Sequence, residues 1–312
     1  DMNVLVAGGA GFIGSNLIEK LLSLGSKVIC IDNFFIGTKK NIEQFKENPN
    51  FVFYEENLCD RAKLDEIFKL EKIDIVYHMA ANSDIQASAK NPEIEYLNTY
   101  TTTFNILECM RVNGVKNLFF CSTSAVYGDA QGEEVNELFS PLAPISYYGA
   151  CKLGCEALIS AFSYMNDFHS MVFRFPNVIG PHLTHGVIFD FMKKLHKDPT
   201  HLQILGDGNQ CKPYLHVYDL VDCILKFSKD IPEGVTIYNV GGTTQSTVKS
   251  IAEIVCKEMG LKNVKFEFTG GRGGWKGDVP VFAYNLDKIH KAGWKASMTS
   301  DEAVALTVKE AL

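Results

Sequence analysis

The fold of this chain is decided by its opening stretch, Asn3-Val-Leu-Val-Ala-Gly-Gly-Ala-Gly-Phe-Ile-Gly14. The aliphatic run from Val4 to Ala7 predicts a buried strand, and apolar residues at helical spacing follow the glycines. Glycines at a strand-to-helix turn allow a tight backbone curl and the close approach of a diphosphate. The N-terminus of the helix adds N–H groups and the positive end of its dipole. We therefore predict a dinucleotide-binding site at this turn.

The next predicted strand supports this site. Residues 27–32 read Lys-Val-Ile-Cys-Ile-Asp, so an acidic residue ends the strand about twenty positions beyond the glycines. A carboxylate in that place accepts hydrogen bonds from the diol of an adenosine ribose. No arginine follows Asp32 directly, and a ribose 2′-phosphate there would meet a like charge. The two strands together favour NAD over NADP.

The composition argues against several classes of partner. The 312 residues carry a formal net charge of −7 without a basic cluster, which argues against nucleic acid. No apolar run reaches the length of a membrane span and no signal peptide is evident, so we expect no membrane partner. The nine cysteines are odd in number and include no Cys-x-x-Cys pair. This usage indicates reduced thiols, a cytoplasmic location and no metal site.

Arginine is rare in this chain, and lysine supplies most of the positive charge. The arginines are Arg61, Arg111, Arg174 and Arg272. A guanidinium group binds phosphate or carboxylate through two parallel hydrogen bonds. Each arginine is therefore a candidate for such a contact.

The first 175 residues or so alternate between strand and helix patterns. The predicted strands are 3–7, 27–32, 51–54, 73–79, 117–122 and 170–175. The predicted helices are 12–24, 61–70, 92–112 and 148–166. Such alternation with strongly apolar strands predicts an α/β fold with a Rossmann-type, doubly wound parallel sheet. Ligands bind such sheets beyond the carboxyl ends of the strands, so we expect the chemistry there.

After about residue 180 the alternation loosens. The predicted helices are 187–197, 218–229, 246–259 and 300–311, with strands near 203–206, 212–216 and 235–240. This pattern predicts a smaller mixed α/β lobe. We therefore expect an NAD-binding domain over 1–178 and a substrate lobe over 179–312, with the chain able to cross between them in its last third.

Two strand ends carry candidate chemical groups. The fourth predicted strand ends at His78, which we interpret as a structural histidine. The fifth ends near Thr123, and a loop leads from it to Tyr148-Gly-Ala-Cys-Lys152. Tyr148 and Lys152 are four residues apart and share one face of a helix. Because a neighbouring ammonium favours the phenolate form of tyrosine, this pair can take a proton from an alcohol that Thr123 also contacts.

In this order, these motifs resemble the extended short-chain dehydrogenase/reductase family, and within it the nucleotide-sugar epimerases and dehydratases. The first half of the resemblance rests on the glycine turn, Asp32, His78-Met-Ala-Ala81, Ser122-Thr-Ser124, Tyr127-Gly128 and Tyr148-x-x-x-Lys152. Further matches are Arg174-Phe-Pro-Asn-Val-Ile-Gly-Pro181, Gly206-Asp-Gly-Asn-Gln210, Leu215-His-Val217 and Tyr238-Asn-Val-Gly-Gly242. The resemblance covers nearly the whole chain.

The resemblance implies a set of site residues. Thr123, Tyr148 and Lys152 would be catalytic. NAD would contact Gly8, Gly11, Phe12, Ile13, Gly14, Asp32, Asn33, Phe34, Gly37, Asn57, Leu58, Met79, Ala80, Ala81, Ser83, Asn98, Tyr148, Lys152 and Pro176. A nucleoside-diphosphate sugar would contact Ser83, Ser124, Asn177, Lys212, Arg272 and Lys276, with Asn177 against its diphosphate.

Two segments depart from the family pattern. Lys212-Pro213 stands where the pattern has arginine followed by aspartate. A glycine-rich loop, Arg272 to Asp278, contains Trp275, which would either stack on a base or serve as a buried anchor. Both departures affect the prediction of the nucleotide more than that of the reaction.

The implied first step is oxidation of a sugar carbinol, at C4. Family 4,6-dehydratases carry Asp-Glu directly after the catalytic threonine, whereas this chain has Ser124 and Ala125, so we do not expect dehydration. A 4-epimerase, which returns the hydride to the other face of the ketone, is favoured. The alternative is a nucleotide-sugar 4-dehydrogenase that releases a 4-keto sugar, for example from a GDP-heptose. A third alternative is a non-catalytic NAD sensor, which the presence of Tyr148 and Lys152 disfavours.

The predicted helices 92–112 and 148–166 resemble the pair that forms a four-helix dimer interface in this family. We therefore expect a homodimer or a higher homo-oligomer. Packing against the sheet is an alternative use for the apolar stripe of the second helix. The members of that stripe are Leu153, Ala157, Leu158, Ala161 and Phe162.

Overall fold

The computed structural model describes residues 2–80, 85–271 and 283–312, including all their side chains except those of residues 85 and 86. Its strands are β1 (Asn3–Ala7), β2 (Lys27–Asp32), β3 (Phe51–Glu55), β4 (Ile75–His78), β5 (Asn117–Thr123), β6 (Glu134–Val135), β7 (His169–Phe175), β8 (Asn177–Ile179), β9 (His201–Ile204), β10 (Cys211–Lys212), β11 (Tyr214–His216), β12 (Gly234–Asn239), β13 (Ser246–Thr247), β14 (Lys265–Phe268) and β15 (Ala283–Tyr284).

The helices alternate with these strands. They are α1 (Phe12–Ser23), α2 (Lys39–Glu43), α3 (Arg61–Glu71), α4 (Ile85–Lys90), α5 (Glu93–Glu95), α6 (Thr102–Asn113), α7 (Tyr147–Asn166), α8 (Val187–Lys197), α9 (Val217–Ser228), α10 (Val248–Glu258), α11 (Asp287–Lys291) and α12 (Ser300–Ala311). A π-helix (Tyr96–Thr101) joins α5 to α6, and a 3₁₀ helix (Ser124–Tyr127) follows β5.

The described residues form a seven-stranded sheet of order β12-β7-β5-β4-β1-β2-β3. The run from β3 through β2, β1 and β4 to β5 is parallel. The order reverses at β1, which has β2 on one side and β4 on the other, and such a reversal is where this class of sheet binds ligands. The predicted Rossmann-type fold is confirmed.

The chain divides into two compact units, each built from separate stretches of sequence. The first unit comprises residues 1–128, 140–174 and 221–238. The second comprises residues 129–139, 175–220 and 239–312. The expected boundary at residue 178 lies close to the change of unit after Arg174, and the chain also changes unit at four other places. The functions expected of the two domains stay predictions.

One face of the sheet in the first unit is covered by α3, α6 and α7. Alternate strand residues such as Leu5, Ile29 and Phe120 point into a fully apolar core with side chains from these helices. Alternation places them on one face, because successive strand side chains point to opposite sides. In the predicted apolar stripe of α7, Leu158 and Phe162 pack against this core, as the alternative of packing on the sheet expects, while Ala157 and Ala161 are exposed. The expected dimer interface stays a prediction.

The predicted helix 92–112 is interrupted by the π-helix. Threonine hydroxyls in this stretch donate to main-chain carbonyls of the preceding turns: Thr101 to Tyr96 at 2.9 Å, Thr102 to Asn98 at 3.0 Å and Thr103 to Thr99 at 2.7 Å. Such bonds compete with the regular helix ladder, and β-branched residues have low helix propensity. Periodicity alone gave no sign of the interruption, because the apolar spacing continues through it.

The second unit has its own core beneath α8, α10 and α12. The helix α12 begins with a capping box, in which Thr299 accepts from Glu302 N–H and the Glu302 side chain accepts in return. The predicted strand 212–216 is split into β10 and β11, because Pro213 between them has no N–H to give to a ladder. The short strands β6, β8, β13 and β15 were missed, since two or three residues show no periodicity.

Candidate active site

The glycine turn after β1 has no room for side chains. Gly8 has φ of +79°, and a Cβ on it would lie 2.6 Å from the Ala80 backbone beyond β4. A Cβ on Gly14, in the first turn of α1, would lie 2.5 Å from the Gly8 carbonyl oxygen. Both contacts are shorter than any real Cβ tolerates. The turn is therefore pressed against the end of β4 on one side and against α1 on the other.

The start of α1 is suited to an anion. Gly11 is the N-cap residue and offers no side-chain hydrogen bond, and the first turn contains no acidic residue. The N–H groups and the dipole of the helix therefore face outward without a charge or cap from the helix itself. The residues present fit the diphosphate of a dinucleotide cofactor.

Asp32 links the glycine turn to the end of β2. Its carboxylate accepts from the N–H of Ala10 at 2.9 Å and from the N–H of Phe34 at 2.7 Å. Burial raises the pKa of Asp32, and the backbone hydrogen bonds from Phe34 and Ala10 counteract part of that increase. A carboxylate has about four acceptor positions, so this one can still accept from a ribose diol.

Several other predicted cofactor residues hold the local backbone. A Cβ on Gly37 would lie 2.5 Å from the Ala10 backbone, which places the loop after β2 directly against the glycine turn. Leu58 is buried. Three predicted asparagines hydrogen-bond to nearby main-chain atoms: Asn33 with Phe35, Asn57 with Cys59 and Asn98 with Ile94. These bonds shape the loops in which the residues lie.

Most of the other predicted cofactor and substrate residues fall into three groups. Met79 and Ala80 follow β4 and are half-buried, with Met79 Sδ 3.0 Å from Cys121 Sγ. Pro176, Asn177 and Lys212 belong to the second unit. Ala81, Ser83, Arg272 and Lys276, together with Trp275, lie outside the described residues.

Thr123 ends β5 and caps the 3₁₀ helix that starts at Ser124. Its hydroxyl oxygen accepts from the N–H of Ala125 at 3.1 Å, which leaves the hydroxyl proton to donate. The Thr123 side chain also hydrogen-bonds the Tyr148 side chain. The phenol is therefore held at the carboxyl end of β5, where sheets of this class bind ligands.

The helix α7 places Tyr148 and Lys152 at the same strand end. Ser146 caps α7 by accepting from Gly149 N–H at 3.0 Å. This cap fixes the start of the helix, so that Tyr148 lies in its first turn. Lys152 is buried and donates to the Cys121 carbonyl oxygen at 2.6 Å. Its ammonium lies 5.9 Å from the centre of the Tyr148 ring. The structure thus brings together the three residues that the sequence selected.

The protonation of this pair differs from the expectation in one respect. Burial raises the pKa of the Tyr148 phenol, negative groups around it add to the increase, and the hydrogen bond from Thr123 opposes it. Burial also lowers the pKa of the Lys152 ammonium. The positive charge of Lys152 was expected to lower the pKa of Tyr148. Among the protein's own groups this effect is outweighed, because desolvation is the largest influence on the pKa of both residues.

A buried polar network beside the site was missed at the sequence level. Arg174 donates to both Glu156 oxygens, the shortest contact being 2.6 Å, and to the Tyr127 hydroxyl at 3.1 Å. Ser122 donates to Glu156 at 2.5 Å. The bidentate carboxylate contact predicted for the arginines is thus made within the protein. Sequence position could have indicated this network, because Glu156 lies one helical turn beyond Lys152 and Ser122 directly precedes Thr123.

His78 has the structural role expected of it. Thr103 donates its hydroxyl proton to the Thr99 carbonyl, so it accepts from His78 Nε2, 2.8 Å away. The imidazole therefore carries its proton on Nε2, and its buried Nδ1 has no hydrogen-bond partner in the described structure. Burial, with a smaller contribution from the Lys152 charge, lowers the pKa of His78 to about 3.

The described ranges contain neither a candidate metal centre nor a helix suited to span a membrane. Within residues 2–80, 85–271 and 283–312, no three His, Cys, Asp or Glu side chains are grouped so as to hold a metal ion. No helix in the same ranges has an apolar stretch of the length needed to cross a bilayer.

Comparison with known proteins identifies the class to which this fold and site belong. Residues 4–241 match the model of the NAD dependent epimerase/dehydratase family. The chain is therefore a member of this family, and it is an enzyme that uses NAD.

Individual relatives agree with this assignment over full length. A putative UDP-glucose 4-epimerase of Methanocaldococcus jannaschii is 30% identical over 310 residues, which cover 98% of this chain and 97% of that one. A solved UDP-galactose 4-epimerase has a TM-score of 0.85 and 34% identity, covering 99% of this chain and 98% of the other. The UDP-glucose 4-epimerase of Thermus thermophilus, solved in complex with NAD, has a TM-score of 0.87 and 27% identity, with the same coverage.

Replacing Gly8 tests whether the cramped turn forms the cofactor site. We expect Gly8→Ala to lose bound NAD, because its Cβ displaces the Ala80 backbone. Gly114→Ala is the matched control, since Gly114 also has a positive φ, +69°, but nothing within 4 Å of a Cβ. NAD released from each denatured protein is measured by chromatography. Full NAD occupancy in a folded Gly8→Ala variant would contradict the assignment.

His78 predicts how stability depends on pH. The folded protein keeps this imidazole neutral down to about pH 3, whereas the unfolded chain protonates it below about pH 6.5. Stability therefore falls as the pH falls between these values, by about 2 kcal/mol at pH 5 from this residue. We expect His78→Gln to flatten the slope of unfolding free energy between pH 7 and pH 5, measured with urea. The control is His196→Gln on the exposed face of α8, and equal slopes in both variants would contradict the prediction.

Proposed function

We propose that this enzyme is a nucleoside-diphosphate-sugar 4-epimerase. The observation that carries the proposal is the grouping of Thr123, Tyr148 and Lys152 at the end of β5, in the same unit as the glycine turn. This grouping suits the removal and return of one proton on an alcohol. The full-length relatives named above as UDP-glucose and UDP-galactose 4-epimerases support the choice of substrate class and of position C4.

In the proposed reaction the Tyr148 oxygen takes the proton of the C4 hydroxyl. Thr123 donates a hydrogen bond to the same region, and the buried Lys152 ammonium provides positive charge near the ring. NAD, when bound at the glycine turn and Asp32, supplies a hydride acceptor with a positively charged nicotinamide ring. Tyr148 later returns its proton to the sugar oxygen, so no proton is consumed in a full cycle.

The residues after Thr123 favour epimerisation over loss of water. A 4,6-dehydration removes the proton at C5, next to the C4 ketone, and needs an acid to protonate the hydroxyl that leaves from C6. Ser124 and Ala125 occupy the two positions that follow Thr123, and both are within the 3₁₀ helix. Neither side chain is an effective proton donor near neutral pH. The ketone formed at C4 is therefore proposed to be reduced again.

Two of the proposed substrate contacts, Asn177 and Lys212, belong to the second unit. Asn177 begins β8, which pairs in parallel with β11 at Tyr214. Lys212 lies in β10, which pairs with β13 at Ser246. We assign the diphosphate to Asn177, with Lys212 as a source of positive charge, and we retain Arg272 and Lys276 as sequence-based candidates for the same group.

Tyr148→Phe tests the assigned base. We expect turnover to fall by about 10²- to 10⁴-fold, the usual loss on removing a general base, with NAD occupancy unchanged. The protein is incubated with UDP-, GDP-, CDP- and dTDP-sugars, and product and nicotinamide absorbance are followed by NMR and spectrophotometry. Tyr147→Phe, on the half-exposed neighbouring ring, is the control. Retained turnover in Tyr148→Phe would reject the assignment.

The same panel separates the alternatives. A C4-inverted sugar without net cofactor reduction supports the epimerase. A released 4-keto sugar with accumulating reduced cofactor identifies a 4-dehydrogenase instead. Tight NAD binding without any product from the panel would favour a non-catalytic NAD sensor.

We also propose a homodimer through an exposed stripe on α7. Ala150, Ala157 and Ala161 recur at helical spacing on the exposed side of this helix, and Tyr164, 85% exposed, continues the row. Leu97 of the neighbouring π-helix is also exposed. Small residues permit close helix contact, and contiguous exposed apolar side chains mark interfaces. We therefore assign the exposed side of α7, with the neighbouring π-helix, to the contact with a second copy.

Light scattering tests the dimer. We expect a mass of about twice 34.7 kDa for the wild type and a monomer for Ala157→Arg, because a buried unpaired guanidinium disrupts an apolar contact. Leu24→Arg, at an exposed apolar residue elsewhere, is the control and stays dimeric. A wild-type mass near that of one chain would remove the proposal.

A further inference from the structure

Glu95 is a carboxylate buried beside the candidate catalytic pair, and the mechanism so far gives it no role. It ends the short helix α5 and has no exposed surface. The Thr99 hydroxyl donates to its Oε2 at 2.8 Å. A buried carboxylate is costly unless it is hydrogen-bonded and paired with nearby charge. Its position next to a catalytic centre therefore calls for an electrostatic explanation.

The packing of the π-helix against α7 determines where Glu95 lies along α7. Cys155 on α7 donates to the Thr99 carbonyl oxygen at 3.5 Å and to the Thr103 hydroxyl at 3.2 Å. A Cβ on Gly154 would lie 3.1 Å from the Tyr100 ring, so the π-helix approaches α7 closely. Further along both segments, the centre of the Phe104 ring lies 6.0 Å from that of Phe162, so the two segments run in the same direction. One helical turn before Thr99 is Glu95, and one turn before Cys155 is Cys151. Glu95 thus lies at the level of the first turns of α7.

Those first turns carry Tyr148 and Lys152, and the charge of Glu95 acts on both. Among the described residues, the ionisable groups that face Tyr148 are Glu95 from α5, Cys121 from β5, and Lys152 and Cys155 from α7. After burial, the Glu95 carboxylate is the largest influence that raises the pKa of Tyr148.

Lys152 has a similar set of neighbours. Burial lowers the pKa of its ammonium, and the thiols of Cys155 and Cys121 and the carboxylates of Glu95 and Glu156 oppose that decrease. His78 also faces the ammonium, but its imidazole stays neutral above about pH 3. The interaction with Glu95 therefore supports the protonated forms of both members of the pair.

We propose that Glu95 is a positioning residue that balances Tyr148 between its two duties as proton acceptor and proton donor. The inference rests on the proposed function, in which Tyr148 takes the C4 proton in one half of the cycle and returns it in the other. The oxidised cofactor adds positive charge that favours the phenolate, and Glu95 opposes it. Without Glu95, burial would still favour the phenol, but the phenolate would be less disfavoured and the return of the proton would become less favourable.

Glu95→Gln tests this role, because it removes the charge and keeps an oxygen that can accept from Thr99. We expect the pKa of Tyr148 in the NAD-loaded protein to fall by about one pH unit or more, the scale of a nearby like charge. The pKa is measured by ultraviolet titration of tyrosinate, with the same titration of Tyr148→Phe subtracted. Glu95→Asp keeps the charge and is the matched control, for which we expect a smaller shift.

The kinetics provide a second measurement. In Glu95→Gln the acid limb of the pH profile for cofactor reduction moves to lower pH by the same amount. At neutral pH we expect a larger share of the bound cofactor to be in its reduced form in Glu95→Gln than in the wild type during turnover of a UDP-hexose. A merely structural Glu95 would lower the melting temperature and leave both the titration and the profile unmoved, which would overturn the proposal. If Glu95→Gln does not fold, Glu95→Met, of similar volume and without charge, takes its place.

The two proposals fail separately. The tyrosinate titration requires NAD but no sugar, so it reports on Glu95 even if no nucleotide sugar is turned over. A shifted titration without turnover would reject the epimerase and keep the electrostatic role. An unshifted titration in an active epimerase would reject the role and keep the enzyme.

Discussion

The hydrogen bond from Lys152 to the carbonyl of Cys121 holds the candidate centre together. A buried ammonium must be satisfied by hydrogen bonds, since desolvating it is otherwise very costly. This one is satisfied by the main chain of β5, 2.6 Å away, two residues before Thr123. The helix α7 cannot slide along the sheet without losing that bond. The relative positions of Tyr148 and Thr123 are therefore set by a charge that needs a fixed acceptor.

Two buried carboxylates flank this ammonium with different partners. Glu156 is neutralised by Arg174, which donates three hydrogen bonds to it, and it accepts from Ser122 on the strand that ends at Thr123. Glu95, at the end of α5, accepts from Thr99 of the π-helix. The first carboxylate fixes geometry because its charge is matched by a guanidinium. The second is positioned to act through its charge on the residues around it.

The sequence predicted the parts of the molecule that depend on local pattern. The glycine turn, the first strands, α7 and α8 lie within one or two residues of their predicted bounds, because apolar periodicity and glycine chemistry are local properties. Tyr148 and Lys152 were found from their helical spacing combined with the glycine turn that precedes them in the chain. The Glu156–Arg174 pair and Glu95 were not, since their partners are distant in sequence or appear only once two helices are packed. The π-helix could not be predicted, because hydrogen bonds from threonine hydroxyl groups to main-chain carbonyls leave no periodic pattern in the sequence.

The return of residues 221–238 to the first unit limits how this protein can be divided. The strand β12 from that segment covers one edge of β7. A fragment that ended after Arg174 would contain the glycine turn and Tyr148 but would leave β7 as an open sheet edge, a template for aggregation. A shortened protein that is meant to keep the first unit would therefore have to retain residues 221–238 as well as residues 1–128 and 140–174.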